Sequence, residues 1–241
     1  MLSKNKSIDV TITEQGKTGD GVAYVDSMPV YIPNTVAGDH LTIKIVKVEK
    51  RRAYGRITKV LNQSKDRVLQ KCSVVEQCGG CQLQHLSKQA QVVFKDNLLR
   101  SRLSRYIQLD ESVFMPFIQA DDPWEFRNKM QFSCAKGDTE NELKIGLYAA
   151  RSHRVIDIDY CQIMSAEMNE MLVAIKALYK KHPIDIYDEA TGQGILRYIT
   201  LRYSVQTKQV MLILTLGQEN ALPESWLKAI AQFDTLTSFY T

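Results

Sequence analysis

Leu41-Thr42-Ile43-Lys44-Ile45-Val46-Lys47-Val48-Glu49-Lys50-Arg51-Arg52-Ala53-Tyr54-Gly55-Arg56-Ile57-Thr58-Lys59-Val60 reads as two strand-like runs joined by a charged turn. Apolar and polar residues alternate on either side of the turn, the period of a strand with one buried face. Three further runs precede it, Ile8–Ile12, Val22–Val25 and Pro29–Ile32, punctuated by Gly16, Gly19, Gly21 and Gly38. Five short strands with that punctuation predict a small, closed or nearly closed all-β barrel of the OB type. From Lys44 to Lys59 stand seven basic residues, Lys44, Lys47, Lys50, Arg51, Arg52, Arg56 and Lys59, against one acid, Glu49. Such a stripe is an electrostatic footprint for phosphates, although a lysine-rich edge strand also guards a sheet against aggregation. The barrel gathers these cations at one end, which favours nucleic acid.

The chain as a whole is 44% hydrophobic and 24% charged, with a formal net charge of +4, the balance of an ordinary globular protein. No apolar stretch follows the N-terminus, and the longest apolar run, Val210 to Leu216, is far too short to span a bilayer. The expectation is a cytoplasmic, monomeric protein with no membrane partner. Five cysteines in such a chain point to reduced, metal-binding or catalytic thiols rather than disulfides.

Beyond a polar linker from Gln63 to Lys71, the spacing of Ala90, Val93, Phe94, Leu98, Leu99 and Leu103 predicts a helix from Ser87 to about Ile107. Strands follow at about Arg127–Ala135, Leu143–Tyr148 and Arg154–Ile158. Ser165 caps a helix whose stripe is Met168, Met171, Leu172, Ile175, Leu178 and Tyr179. Two strands then flank the turn Gln206-Thr207-Lys208, a helix opens at Pro223, and a last strand runs from Ser238 with no partner after it. The expected division is a barrel domain over 1–62 and an α+β domain over 63–241, with helix 86–107 turned toward further chain.

Cys72-x5-Cys78-Gly79-Gly80-Cys81, with the remote Cys161, carries the clearest chemical signal. Four thiolates hold zinc or an iron–sulfur cluster, and a three-plus-one pattern favours a [4Fe-4S] cubane over the two close pairs usual for zinc. Zinc on the same ligands stays open as an alternative. Cys134, alone in a strand, needs no function.

These residues resemble the uracil-5 RNA methyltransferases that carry an N-terminal TRAM domain and a [4Fe-4S] cluster, ribosomal-RNA members above all. Gly19-Asp20-Gly21-Val22-Ala23 through Ile32-Pro33 and Gly38 resembles the TRAM barrel, and Cys72, Cys78, Cys81 and Cys161 match the cluster ligands. Phe126-Arg127-Asn128-Lys129, Gly146-Leu147-Tyr148 with Ser152–Ile158, and Gly192–Tyr198 with Leu201-Arg202 resemble the central domain. The resemblance implies an S-adenosylmethionine-dependent uridine C5-methyltransferase acting on structured RNA, with large-subunit ribosomal RNA as the expected partner. In that family a cysteine thiolate adds to C6 of a flipped-out uracil, C5 takes the methyl group, and a carboxylate-assisted step removes the C5 proton. The expectation follows that nucleophile, base and methyl-donor pocket lie in a Rossmann-like domain beyond Thr241, so that this chain holds no catalytic and no donor-binding residue. Arg127 and Lys129 match the motif expected to touch RNA. Arg197 and Arg202, five apart on one strand, should face opposite sides.

Two other functions compete with this one. A stand-alone iron–sulfur RNA-binding module would use barrel and cluster without catalysis. A radical methylthiotransferase requires Cys-x3-Cys-x2-Cys with one open iron, which neither the x5 spacing nor the fourth ligand fits.

Overall fold

The computed structural model describes residues 2–139, 142–217 and 222–241; Met1, the first residue of the expected barrel segment, lies outside them. The chain forms two compact units, one of residues 1–71 and 81–120, the other of residues 72–80 and 121–241. Among the described residues no helix is long and apolar enough to cross a membrane.

The first unit is built on β1 (Ser7–Thr11), β2 (Glu14–Gln15), β3 (Gly21–Val25), β4 (Met28–Ile32), β5 (His40–Val48) and β6 (Ala53–Asn62), in the order β1-β5-β6-β4-β3-β2. The outermost strands β1 and β2 are separated only by Ile12 and Thr13, and Thr13 N donates to Val22 O at 2.9 Å. That two-residue bridge links the sheet's two outermost strands. Val30, Ile32, Leu41, Ile43, Ile45 and Ala53 fill the interior with no exposed surface, each alternate position burying its apolar area as the two-residue period requires. The loop between β4 and β5 is held by buried Asp39, whose carboxylate accepts from Val36 N at 2.7 Å, Ser64 N at 2.9 Å and the Arg67 guanidinium. These bonds tie the segment after β6 back to the barrel.

Helix α1 (Lys88–Leu103) follows in the same unit, opened by Ser87, whose hydroxyl accepts from Ala90 N at 3.1 Å. The expected apolar stripe exists in sequence, yet none of its residues is buried: Val93 and Leu99 are exposed and Phe94 and Leu98 half-buried.

The second unit is a mixed sheet of β7 (Lys129–Lys136), β8 (Leu143–Tyr148), β9 (Val155–Asp157), β10 (Leu196–Ser204), β11 (Gln209–Leu216) and β12 (Leu236–Tyr240), ordered β12-β11-β10-β7-β8-β9. All its pairings are antiparallel except β11 with β12. The last strand therefore has a partner, supplied by a strand before it. Helices α2 (Ala166–Lys181) and α3 (Glu224–Ile230) bury their apolar sides in one core with the sheet, where Phe132, Ile145, Met168, Leu172, Ile199, Leu201 and Trp226 meet. Trp226 Nε1 donates to His182 O at 2.7 Å, satisfying a buried indole and pinning α3 to the end of α2.

This corrects the expected α+β iron–sulfur domain. The unit is organised by a continuous apolar core, and Cys78 and Cys161 lie at its margin as half-buried side chains packed against it. Methionine, leucine and aromatic burial supplies the larger area, so the core does not need the thiols as its centre.

Candidate functional site

At the basic turn, β5 and β6 pair so that Lys44 lies directly across from Arg56, like charge against like. Such a pair destabilises a sheet unless an anion relieves it. Lys50, Arg51, Arg56 and Lys59 are exposed. Two of the seven cations are already engaged: Lys47 Nζ lies 2.6 Å and Arg52 Nε 2.7 Å from the Glu49 carboxylate. The hydrogen bond from Lys47, then that from Arg52, hold the Glu49 carboxyl down at about 2. Arg52 also stands 5.6 Å from the Tyr54 ring centre. The cations open to a phosphate are thus Lys44 and Arg56 on the strands, Lys50 and Arg51 in the turn, and Lys59 farther along β6.

The sequence-predicted thiols divide between the units. Cys72 and Cys78 belong with Cys161 to the second unit, whereas Cys81 opens the stretch 81–120 that belongs to the first. Cys78 bridges to Ala149, and Gly79 N donates to Tyr148 O at 2.9 Å. A Cβ on Gly79 would stand 2.7 Å from that same oxygen, so only glycine lets the two backbones approach. Gly80 N donates to Cys78 Sγ at 3.4 Å, a contact that favours a thiolate. Cys161 is placed by α2: buried Asn169 accepts from Cys161 N at 2.8 Å and donates to Cys161 O at 3.2 Å, with further bonds to Met164 O and Ser165 O. Sequence reasoning missed Asn169; the signal was a lone polar residue beside Met168 in an apolar stripe.

All five cysteines are thiols. Among the described residues no group of three or more His, Cys, Asp or Glu side chains is drawn together as a metal site. Cys72, Cys78, Cys81 and Cys161 are half-buried, and a backbone N–H lies at the Cys78 sulfur. Cys134 is different: burial pushes its thiol far above the ordinary range, which makes it an inert core residue.

Arg127 is exposed, with its backbone N donating to Ile163 O at 2.8 Å; Lys129 is exposed at the start of β7. Arg197 is spent within the protein, Nε and Nη2 each 3.0 Å from the Glu189 carboxylate and its guanidinium 4.8 and 5.1 Å from the rings of Tyr187 and Tyr198. A register shift between Leu196 and Tyr198 puts Arg197 at a bulge, outside the regular alternation of β10 on which the opposed facing of Arg197 and Arg202 was based. His153 is exposed with its ring 5.3 Å from that of Tyr148. Gly192 and Gly194, at φ of 68° and 112°, lead into β10 and not into a helix N-terminus, so they make no nucleotide cradle.

Residues 3–58 match the TRAM domain family. Over 91% of its length the chain is 37% identical to an uncharacterized RNA methyltransferase of Clostridium acetobutylicum, covering 48% of that protein. It is 38% identical to one of Halalkalibacterium halodurans, over 90% of this chain and 47% of the relative. A relative from Staphylococcus aureus is 32% identical over 98% of this chain and 52% of its own length. The chain therefore spans about half the length of the curated relatives it matches. Among solved structures, the Pyrococcus abyssi tRNA (uracil-54, C5)-methyltransferase in complex with S-adenosyl-L-homocysteine superposes with a TM-score of 0.67 at 23% identity, over 91% of this chain and 48% of that one. This likeness shows the fold, and it completes the correction of fold class. Nine-tenths of the chain, with its two mixed sheets, follows a methyltransferase structure, where the sequence suggested a truncated barrel and iron–sulfur domain lacking that fold.

Proposed function

We propose that the protein is an S-adenosylmethionine-dependent RNA methyltransferase that acts on C5 of uridine. The observation that carries this is the match, over nine-tenths of the chain, to proteins named RNA methyltransferases, with a TRAM-domain match at the barrel that bears the cations. In this reading residues 1–62 are the RNA-binding barrel, and Lys44, Lys50, Arg51 and Arg56 hold backbone phosphates of a structured RNA, with Lys47 and Arg52 modulated by Glu49. Arg127 and Lys129 touch RNA from residues 63–241. Large-subunit ribosomal RNA is the proposed target, on the resemblance of the sequence to ribosomal-RNA members.

Cys72, Cys78, Cys81 and Cys161 are the residues that would hold a [4Fe-4S] cluster, which when bound supplies a covalent cross-link between distant parts of the chain. The Gly80 N–H stabilises a thiolate at Cys78, and Asn169 fixes the backbone of Cys161, so the protein's own part is to orient sulfur ligands. No catalytic nucleophile is assigned within this chain; Cys134 is excluded by its burial.

The test is transfer of labelled methyl from S-adenosylmethionine, by the whole protein to which this chain belongs, to purified ribosomal RNA and, separately, to transfer RNA, with the modified base identified by mass spectrometry. 5-Methyluridine in ribosomal RNA is the expected product. The same base confined to transfer RNA would overturn the ribosomal target, and absence of both methylation and RNA binding would overturn the reading.

A further inference from the structure

The second sheet buries its core face under α2 and α3, while its opposite face is exposed only in part, with Thr200 buried there. Met130, Phe132, Cys134, Ile199, Leu201, Tyr203, Val210, Leu212 and Leu214 point into the core that α2 and α3 cover. Strand alternation sends their neighbours to the opposite face. There the register aligns Lys129 with Arg202 and Arg202 with Met211, and in the next row Gln131 with Thr200 and Thr200 with Ile213. Lys129, Gln131 and Arg202 are exposed, Met211 and Ile213 are half-buried, and Thr200 between them is buried.

Lys129 and Arg202 are thus like charges directly across a strand pair, with Cβ atoms about 5 Å apart as the ladder dictates, and such a placement opposes folding. Within the unit Arg197 pairs with Glu189, and Lys176 with Asp157 and Asp159. Among the described residues neither Lys129 nor Arg202 has an ion-pair partner. Two unneutralised cations, flanked by the apolar side chains of Met211 and Ile213 and the amide of Gln131, match the alternation of phosphate and base along a single strand.

We propose that the exposed part of this sheet face is a second RNA seat, in which Lys129 and Arg202 jointly take one phosphate of a single-stranded segment whose adjoining base lies over the half-buried Met211 and Ile213. The inference rests on the RNA reading given above and adds to it a residue, Arg202, and a position for the unpaired stretch of the substrate. The guanidinium can bind two phosphate oxygens while the ammonium meets a third as a point charge.

The experiment measures binding of labelled oligouridylate to the purified protein by fluorescence anisotropy across a salt series, with thermal midpoints recorded for each variant. Arg202→Gln and Lys129→Gln should each weaken binding several-fold at low salt and lower the magnitude of the salt slope by about 0.7, the value for one phosphate contact on a single strand. Their midpoints should equal or exceed wild type, because the opposed charges are relieved. Lys180→Gln, at the exposed end of α2, should change neither quantity. Variants that bind with wild-type affinity and slope overturn the seat while leaving RNA binding intact. Midpoints lowered in both variants overturn it too, since the side chains would then support the fold. A wild-type protein that binds no RNA at low salt removes both the seat and the function on which it rests.

Discussion

The side-chain amide of Asn169 closes a two-way hydrogen bond with the backbone of Cys161, accepting from its N at 2.8 Å and donating to its O at 3.2 Å. A buried residue of α2 thereby sets the path of the loop that carries a proposed metal ligand. Asn169→Leu removes these bonds and leaves Cys161 N and several carbonyls in need of partners. Each buried group left unsatisfied costs about 1–3 kcal/mol, so the second unit should lose roughly 3 kcal/mol in urea denaturation. A loss well below 1 kcal/mol would mean that water or a shifted loop replaces the amide.

Anaerobically purified protein should be brown, with about four irons and four sulfides per chain if the four thiolates hold a cubane. Cys161→Ser should lower both the iron content and the thermal midpoint, because ligation then contributes to folding. Stoichiometric zinc without visible absorbance would replace iron with a structural zinc, and full iron loading of the Ser variant would remove Cys161 from the ligand set.

Glu49 restrains its own neighbours. Glu49→Gln releases Lys47 and Arg52 from a carboxylate that both contact. RNA affinity should rise several-fold, and the salt slope should steepen by up to about one unit for each cation recruited to a phosphate. Arg51→Glu should act in reverse and weaken binding to most RNAs alike. Unchanged affinity in both variants would separate the turn from RNA.

Acid should weaken the first unit in two stages. Buried His85 has Nε2 3.1 Å from Thr35 O, and its Nδ1 is buried without a hydrogen-bond partner. Burial, with Arg67 adding to it, holds its imidazole below the usual 6.5 despite the opposing bond to Thr35 and the charges of Asp39 and Asp20. Above that value both folded and unfolded chains are neutral at this ring. As pH falls below it the unfolded chain takes a proton that the folded one resists, so stability declines with acidification. Burial alone would raise Asp39, but Arg67 and the amides of Ser64 and Val36 carry it below 3.8, so its contribution is present above that pH and is lost further into acid. Denaturation of His85→Gln should lack the first stage, which sets in as pH falls below 6.5, and keep the second. An unchanged profile would assign the first stage to another group.

Much of the barrel was legible in the chain, since strands with one buried face must alternate and Leu41–Val60 does so on both sides of its turn. β2 was not legible, because two residues carry no period. The second helix could be read from Met168, Met171, Leu172 and Ile175, and burial follows the same positions. The stripe of α1 could be read equally well, yet nothing in periodicity says whether a partner covers it; Val93 and Leu99 remain exposed.

By itself the sequence determined the strands of the barrel, the capped second helix, the crowding of cations at the β5–β6 turn and the inertness expected of Cys134, because each depends on residues near one another in the chain. Only the tertiary structure decided that Asn169 holds Cys161, that segment 72–80 leaves the first unit for the second, and that Arg202 meets Lys129. It also decided that a bulge takes Arg197 out of step, since one inserted residue reverses the side-chain parity on which sequence reasoning depends. Those relations join positions far apart in sequence, whose approach is set by strand register and core packing and leaves no local pattern to read.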